Sequence, residues 1–549
     1  MRAIRIIKNI ICFADLWIIP VGLTIVKHAS KDAGLAIPAD MIRLITVVLG
    51  AVCLYAASIN YTAYSHGRRT FRPLGWIHWR SDPYMHPSIP RSEKYPPLPS
   101  KIAARKPIGN GIVIGKHGSR YLCLPLIRGK ATSTMIVGEP GSGKSVLLLD
   151  TLLCQKDPVG MLVVDVKGEL SYKGVHLSDP DTVIISPYDR SAFGYDPFYA
   201  LTEGSTEQDI VDAIKGVVCS LIPVDPKSKD SYWSNSARAL FVACALYYYK
   251  AGSHNLVDII DHLVSANIQA IVEEVNGGSA STSTEHKLIS QFAGMADETL
   301  SGIDSNLKVA LTLFVDDQRI RQMLRENPRK ADPTMINAGK RLFVKISDRD
   351  VEKYATLLHL ILNQAISELE SRTEDAVPSL IVIDKLARIL SAGAIKKLEN
   401  ALETLRSRNV SLLLVTQSLD ALQRAYEKSR VDAMLTCCPY KVILSASGKD
   451  TIDFVVRSAG KCTVFRDTHG KSGRNSNSSR STEDKDRVTA VDLIALPELG
   501  EAIVISPYGY NRIKKVQYWR DRNLKKIATS VLAANKKYVE LREKNENGT

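Results

Sequence analysis

No Cys-x-x-Cys pair occurs in this 549-residue chain, and its nine cysteines follow no regular spacing. That excludes a zinc ribbon and a disulfide framework, leaving thiols that are buried or membrane-embedded in a reducing compartment. Acids are in short supply too. The 58 Asp and Glu residues face 72 Lys and Arg, and the resulting +14 suits an anionic partner such as nucleic acid or a membrane surface. No motif of a metal-dependent hydrolase or a redox enzyme is present. Charged residues at 24% and hydrophobic residues at 45% are globular values, so the chain is neither disordered nor fibrous, and its length allows two or three domains.

Long apolar runs are confined to the N-terminal part. Residues 9–26 form one run, broken by Asp15 and Pro20, and residues 44–64 form another without charge. Each is about the length of a bilayer-spanning helix of ~20 residues. Arg2, Arg5 and Lys8 precede the first run, and His66, Arg68, Arg69 and Arg72 follow the second. Positive flanks stay on the cytoplasmic side, which predicts a two-helix anchor over residues 1–65 with everything after it cytoplasmic. Residues 66–110 then read as a stem, basic and rich in proline (Pro87, Pro90, Pro96, Pro97, Pro99). Such a segment suits anionic lipid head groups or nucleic acid.

The most specific signal is TMIVGEPGSGKS at 134–145. A buried β-branched run leads into Gly138, Glu139, Pro140, Gly141, Ser142, Gly143, Lys144 and Ser145, and a helix-like run follows. Glycines let successive backbone N–H groups turn inward around phosphates, and the helix N-terminus adds its positive end. Lys144 is expected to reach the β- and γ-phosphates of ATP, and Ser145 to ligate Mg²⁺. The next strand pattern, residues 161–170, ends in Asp165, Lys167 and Glu169, which places charge at the ligand-facing edge of an open α/β sheet. Residues 201–340 carry helical periods in place of a strand pattern and read as an inserted all-α domain.

The sheet resumes at 341–348. The run LIVID ends in Asp384, the expected metal-side acid. The position after it, where a carboxylate would activate the attacking water, holds Lys385. Hydrolysis would then be weak, or would draw on another carboxylate such as Glu169, or this chain carries a substitution that a sibling lacks. Gln417, at the end of the run 411–418, is placed to sense the γ-phosphate, and Arg406 could reach a neighbouring subunit's nucleotide. Residues 466–487, rich in Ser, Asn, Gly and charge, read as a mobile loop, and residues 516–549 as a polar helical tail.

The order GEPGSGKS, VVDVKGEL, YDPF, SYWSNSARAL, the helical insertion, VIDKLARIL, VTQSL, KDTIDFVVRSAG and LPELGEAIVI, behind a two-span anchor, resembles the type IV secretion coupling proteins of the TraG/TraD class. The resemblance implies an α/β, RecA-like P-loop NTPase domain (111–200 and 341–515) interrupted by the all-α domain. It implies a homo-hexamer in the bacterial inner membrane that binds ATP and Mg²⁺. It also implies recruitment of DNA–relaxase complexes or effector proteins to a secretion channel, with sequence-independent contact to single- or double-stranded DNA. Two alternatives stand beside it: a nucleotide-binding docking subunit with little hydrolysis, favoured by Lys385, and an FtsK- or HerA-like DNA translocase.

Overall fold

The structure is a computed structural model that describes residues 102–547, except Asp157, 224–230 and 473–474. The expected anchor and most of the stem lie outside the described residues. Among the described residues no helix is long and apolar enough to cross a membrane.

Sixteen strands are described: β1 (Ala103–Ala104), β2 (Gly111–His117), β3 (Arg120–Pro125), β4 (Thr134–Val137), β5 (Gly160–Val166), β6 (Thr182–Ile185), β7 (Gly194–Tyr195), β8 (Lys330–Ala331), β9 (Arg341–Ile346), β10 (Ser379–Ile383), β11 (Val410–Thr416), β12 (Tyr440–Ile443), β13 (Lys461–Ser472), β14 (Asn475–Asp486), β15 (Glu501–Ser506) and β16 (Gly509–Lys514). Twelve of them form one mixed sheet in the order β1-β3-β2-β16-β15-β12-β4-β11-β10-β5-β9-β6. From β12 to β6 every neighbour is parallel, and from β15 to β1 every neighbour is antiparallel. The inner strands TMIV, GMLVVDV, SLIVI and VSLLLVT are buried at every position. A parallel strand covered on both faces needs apolar residues on both, which is why these runs are continuous and not alternating.

After β4 the chain passes through α1 (Lys144–Leu152) and pairs next as β5, three positions away. The later strands β10 and β11 fill the gap. Register aligns the carboxyl ends. Val137 pairs with Thr416 on one side and Ile443 on the other, and Ile383 pairs with Leu414 and Val164. The residues that follow each strand therefore emerge along one edge.

Helix α2 (Glu169–Gly174) follows β5. The helical stretch then comprises α3 (Glu207–Leu221), α4 (Ser231–Lys250), α5 (Leu256–Ser265), α6 (Ile268–Gly278), α7 (Thr284–Ile289) and α8 (Asp297–Asp316), and continues through shorter helical turns to Glu326. Two-residue strands, β7 and β8, close its base by pairing with each other, a feature too short for periodicity to show. The YDPF motif serves this junction. Tyr195 is fully buried, and its hydroxyl donates to Gln364 Oε1 at 2.7 Å. Gln364 lies on α9 (Ala355–Ser371), and its Nε2 donates in turn to the Pro197 carbonyl at 2.7 Å.

Two expectations change. Residues 461–486, read as a loop over most of their length, form the antiparallel hairpin β13–β14 with Lys461 opposite Asp486 and Ser472 opposite Asn475. Backbone pairing needs no apolar pattern, so polar composition concealed it. The C-terminal segment is helical as expected, but it is not polar on every side. Helix α10 (Arg522–Asn547) buries Leu524, Ala528 and Val531. Its Asn535, fully buried, donates to the carbonyls of Tyr172 and Val175 and accepts from the Leu177 amide, all at 2.7–2.8 Å. Among the described residues all seven cysteines are free thiols.

Asn535→Ala would remove the side-chain partner of three backbone groups, one buried and two part-buried. Each unsatisfied group costs about 1–3 kcal/mol, so thermal melting should show a clear loss of stability. Hydrogen exchange should speed up at the Leu177 amide before it does in β4 or β11.

Candidate nucleotide-binding site

The phosphate loop is anchored by the strands on either side of β4. The Gly138 amide donates to the Thr416 carbonyl at 3.2 Å, and the Glu139 amide to Ser445 Oγ at 2.8 Å. Ser447 Oγ donates to the Glu139 carboxylate. Pro140 and Gly141 form the exposed tip. Gly141 and Gly143 take φ of 79° and 99°, conformations that a side chain would strain. Gly143 caps α1 without any side-chain acceptor, so the first amides of the helix remain available to an anion.

Lys144 folds back over the loop. Its Nζ donates to the carbonyls of Gly138 (2.5 Å) and Glu139 (2.8 Å). Burial lowers its pKa, and Asp384 partly opposes that. Ser142 Oγ is buried without a hydrogen-bond partner. An orphan hydroxyl, uncapped amides and a lysine bridging loop carbonyls form a donor set that fits phosphate. Ser145 sits in the first turn of α1, half-buried. Asp384 follows β10 and is 4% exposed; burial pushes its pKa up to about 6 against the pull of Lys385 and Lys144. Among the described residues no three His, Cys, Asp or Glu side chains gather into a metal cluster. A divalent ion here would rely on Ser145, Asp384 and oxygens of the nucleotide itself, the sparse ligation Mg²⁺ favours.

The other sequence candidates divide. Asp165 is fully buried and turned into its own strand–helix junction. Its carboxylate accepts from Ser171 Oγ (2.6 Å) and from the amides of Ser171 (2.8 Å) and Leu170 (3.1 Å), closing the turn into α2. Lys167 occupies that turn at φ 100°, with its charge near Asp348. Glu169 pairs with Lys173 at 2.7 Å and is 42% exposed. Gln417 is exposed and shares with Lys385 a cavity of about 760 Å³ that Arg388, Arg424 and Arg430 also line. Arg406 is exposed just ahead of β11, at the end of the strand opposite Gln417, so this chain does not bring it to its own loop.

Lys385 does not point free. It takes a left-handed backbone (φ 56°), and its ammonium pairs with the carboxylate of Asp348, just beyond β9. Arg388 holds the same Asp348 oxygen at 2.7 Å. The lysine holds Asp348 below the usual carboxylate range, and burial opposes this.

Four contributors had no sequence signal strong enough to find them. Asp348 ends an apolar run just as Asp384 does, and that parallel was the available clue. Lys515 donates to the Ser142 carbonyl at 2.8 Å and the Leu444 carbonyl at 3.4 Å, bracing the loop from behind, and burial lowers its pKa to about 8. Trp519 lines a second cavity, of about 230 Å³, beside Gly141–Gly143, with Val146, Pro497 and Val516 as further walls. Asp150, on α1, borders the same cavity and is 1% exposed. One of its oxygens has no partner, and the Tyr518 amide donates to the carboxyl group.

Burial pushes Asp150 from 3.8 up to about 8, with Asp521 adding and Lys116 opposing, so the folded chain keeps this carboxyl protonated at neutral pH. Between those two values the folded state binds more protons than the unfolded state, so stability falls as pH rises through the window. Asp150→Asn removes that dependence. The variant should melt like the parent near pH 4, melt higher at pH 6, and reach its full gain above pH 8. Melting curves at the three pH values check this.

Residues 122–515 match the family profile described as the type IV secretion-system coupling protein DNA-binding domain. Protein VirD4 of Rhizobium radiobacter is 21% identical over an alignment of 449 residues that covers 76% of this chain and 61% of VirD4. The chain thus spans less than two thirds of the length of that relative. The conjugal transfer protein TraG of Rhizobium radiobacter is 20% identical over 373 residues, covering 66% of this chain and 57% of TraG. Among solved structures, the conjugative coupling protein TrwBΔN70 aligns with a TM-score of 0.57 at 18% identity, over 70% of this chain and 84% of that one. TrwB in complex with ADP and Mg²⁺ aligns with a TM-score of 0.56 at 19% identity, over 70% and 85%. These structures share the α/β P-loop fold with its large mixed sheet. With nearly three quarters of its length matched by one profile, the chain belongs to the type IV secretion-system coupling protein family.

Proposed function

We propose that this chain is a membrane-associated coupling protein that binds Mg²⁺-ATP and brings DNA–relaxase complexes or effector proteins to a type IV secretion channel. The observation that carries the reading is the meeting of Lys144, Ser145 and Asp384 at one sheet edge, inside a scaffold matched over residues 122–515. In this reading Lys144 and the loop amides hold the β- and γ-phosphates. Ser145 and Asp384 hold the ion, and Gln417 lies at the rim. The cavity beside Trp519 takes the base, because an aromatic and aliphatic wall next to a phosphate cradle suits a nucleobase. Bound Mg²⁺-ATP supplies a γ-phosphoryl group activated for in-line displacement. Assembly as a homo-hexamer, with Arg406 offered to a second copy, and a two-span anchor in the inner membrane complete the proposal.

A second reading, a docking subunit with little hydrolysis, is favoured by one observation. The position where a base would activate water holds Lys385, itself engaged by Asp348, while Glu169 is paired with Lys173. Turnover by the full chain, with and without DNA, separates the two readings. Lys144→Ala should abolish nucleotide binding. If the docking reading holds, the parent turns over slowly and Lys385→Glu raises the rate roughly 10²-fold or more, the usual worth of a positioned general base. Fast parental turnover that Lys385→Glu leaves unchanged but Glu169→Gln removes makes the chain a motor with Glu169 as base.

The +14 balance acts on phosphates, so DNA binding should be sequence-independent and should weaken steeply between low and physiological salt. Fluorescence titration of single- and double-stranded oligonucleotides at graded salt tests this. Salt-insensitive binding, or none, moves the cargo to protein effectors.

A further inference from the structure

We propose that Lys385 exchanges its Asp348 partner for the terminal phosphate of a nucleoside triphosphate, making this lysine the residue that distinguishes a tri- from a diphosphate. The inference rests on the nucleotide reading above and adds a role for a residue that sequence reasoning treated only as a missing acid.

Position comes first. Ile383 pairs with Leu414, and Thr416 pairs with Val137, so two residues beyond Ile383 the chain is level with the start of the phosphate loop. Lys385 thus stands at the same carboxyl edge of the sheet as the phosphate loop, with only β11 between β10 and β4. Two cations on one sheet edge can both be engaged by an anion with more than one charge. A terminal phosphate, with about two negative charges and three acceptor oxygens, is such an anion.

The present partner can be given up at little cost. Asp348 is 42% exposed and Lys385 17%, so water reaches the carboxylate and weakens the pair. Arg388 holds the same Asp348 oxygen at 2.7 Å and also reaches Glu352 at 3.2 Å. When Lys385 leaves, Asp348 keeps a cation and no acid is stranded. A lysine suits the exchange, being a point charge with freely rotating donors on a four-carbon stem, where an arginine fork would favour the carboxylate. The left-handed backbone at Lys385, φ 56°, is disfavoured at a residue with a side chain and sets the direction in which its stem leaves the chain.

The test measures affinity, not turnover. The full chain is titrated with Mg²⁺ and either a non-hydrolysable ATP analogue or ADP. Beside it stand Lys144→Ala, Lys385→Ala, Lys385→Arg and Asp348→Asn, each checked for folding by thermal melting. Lys385→Ala should weaken the triphosphate analogue about 10–100-fold, the worth of one charge-assisted contact, and leave ADP unchanged. Lys385→Arg should keep part of the preference. Asp348→Asn should tighten the triphosphate severalfold without altering ADP, because it releases the lysine. If Lys385→Ala shifts both nucleotides equally, or neither, Lys385 does not read the terminal phosphate and the proposal is overturned. It is also overturned if Asp348→Asn weakens the triphosphate. A parent chain that binds neither nucleotide removes the underlying reading as well, an outcome distinct from the other two.

Discussion

The aligned carboxyl ends of β10, β11 and β4 are the constraint on which the site depends. Parallel strands buried on both faces cannot slip by one residue without carrying an apolar set into the wrong layer. The register that pairs Ile383 with Leu414 and Thr416 with Val137 is therefore held by burial over the whole inner sheet. Polar residues can follow those strands only where the sheet ends. Asp384, Lys385, Gln417 and the loop from Gly138 are the residues that do so, and the gap left between β4 and β5 brings them together at a topological switch point.

Charge is concentrated at this edge. Lys144, Lys167, Lys385 and Arg388 stand there with Glu139, Asp165, Glu169, Asp348 and Asp384, and the carboxylate of Asp165 is consumed by its own turn. Burial lowers Lys144 and raises Asp384, so both charged forms are held at a cost that a multiply charged anion and a divalent ion together would relieve. A lysine is tolerated after Asp384 because an acid lies within reach. Asp348 stands ready to neutralise it, and Arg388 keeps Asp348 occupied from the other side.

The C-terminal segment belongs to this machinery. Lys515 braces the loop from behind, and Trp519 walls the adjoining cavity. Asp521 accepts from the Tyr121 hydroxyl at 2.6 Å and pairs with Lys116, so the segment is tied to β2 and β3. Asn535 then fastens α10 over the turn that follows α2, the helix that Asp165 caps. A segment without any motif thus holds the phosphate loop and the second strand–helix junction in one frame.

From the sequence alone, the phosphate loop, the acid at Asp384, the buried parallel strands and the helical stretch after β6 were all legible. Each is a local pattern: a glycine spacing, an apolar run ending in charge, a helical period. The departure at Lys385 was legible for the same reason. Tertiary structure alone decided the partners. It gave Asp348 to Lys385, turned Asp165 away from the crevice, left Glu169 on Lys173, and placed Lys515, Trp519 and Asp150 beside a loop that lies about 370 residues away in the chain for the first two. It also paired residues 461–472 with 475–486, where composition indicated a loop. The physical reason is common to all of these. Propensity and periodicity act over a few neighbouring residues. The partner of a charge and the pairing of a polar strand are set by whatever the packed sheet brings within hydrogen-bonding distance, and no short stretch of chain encodes that.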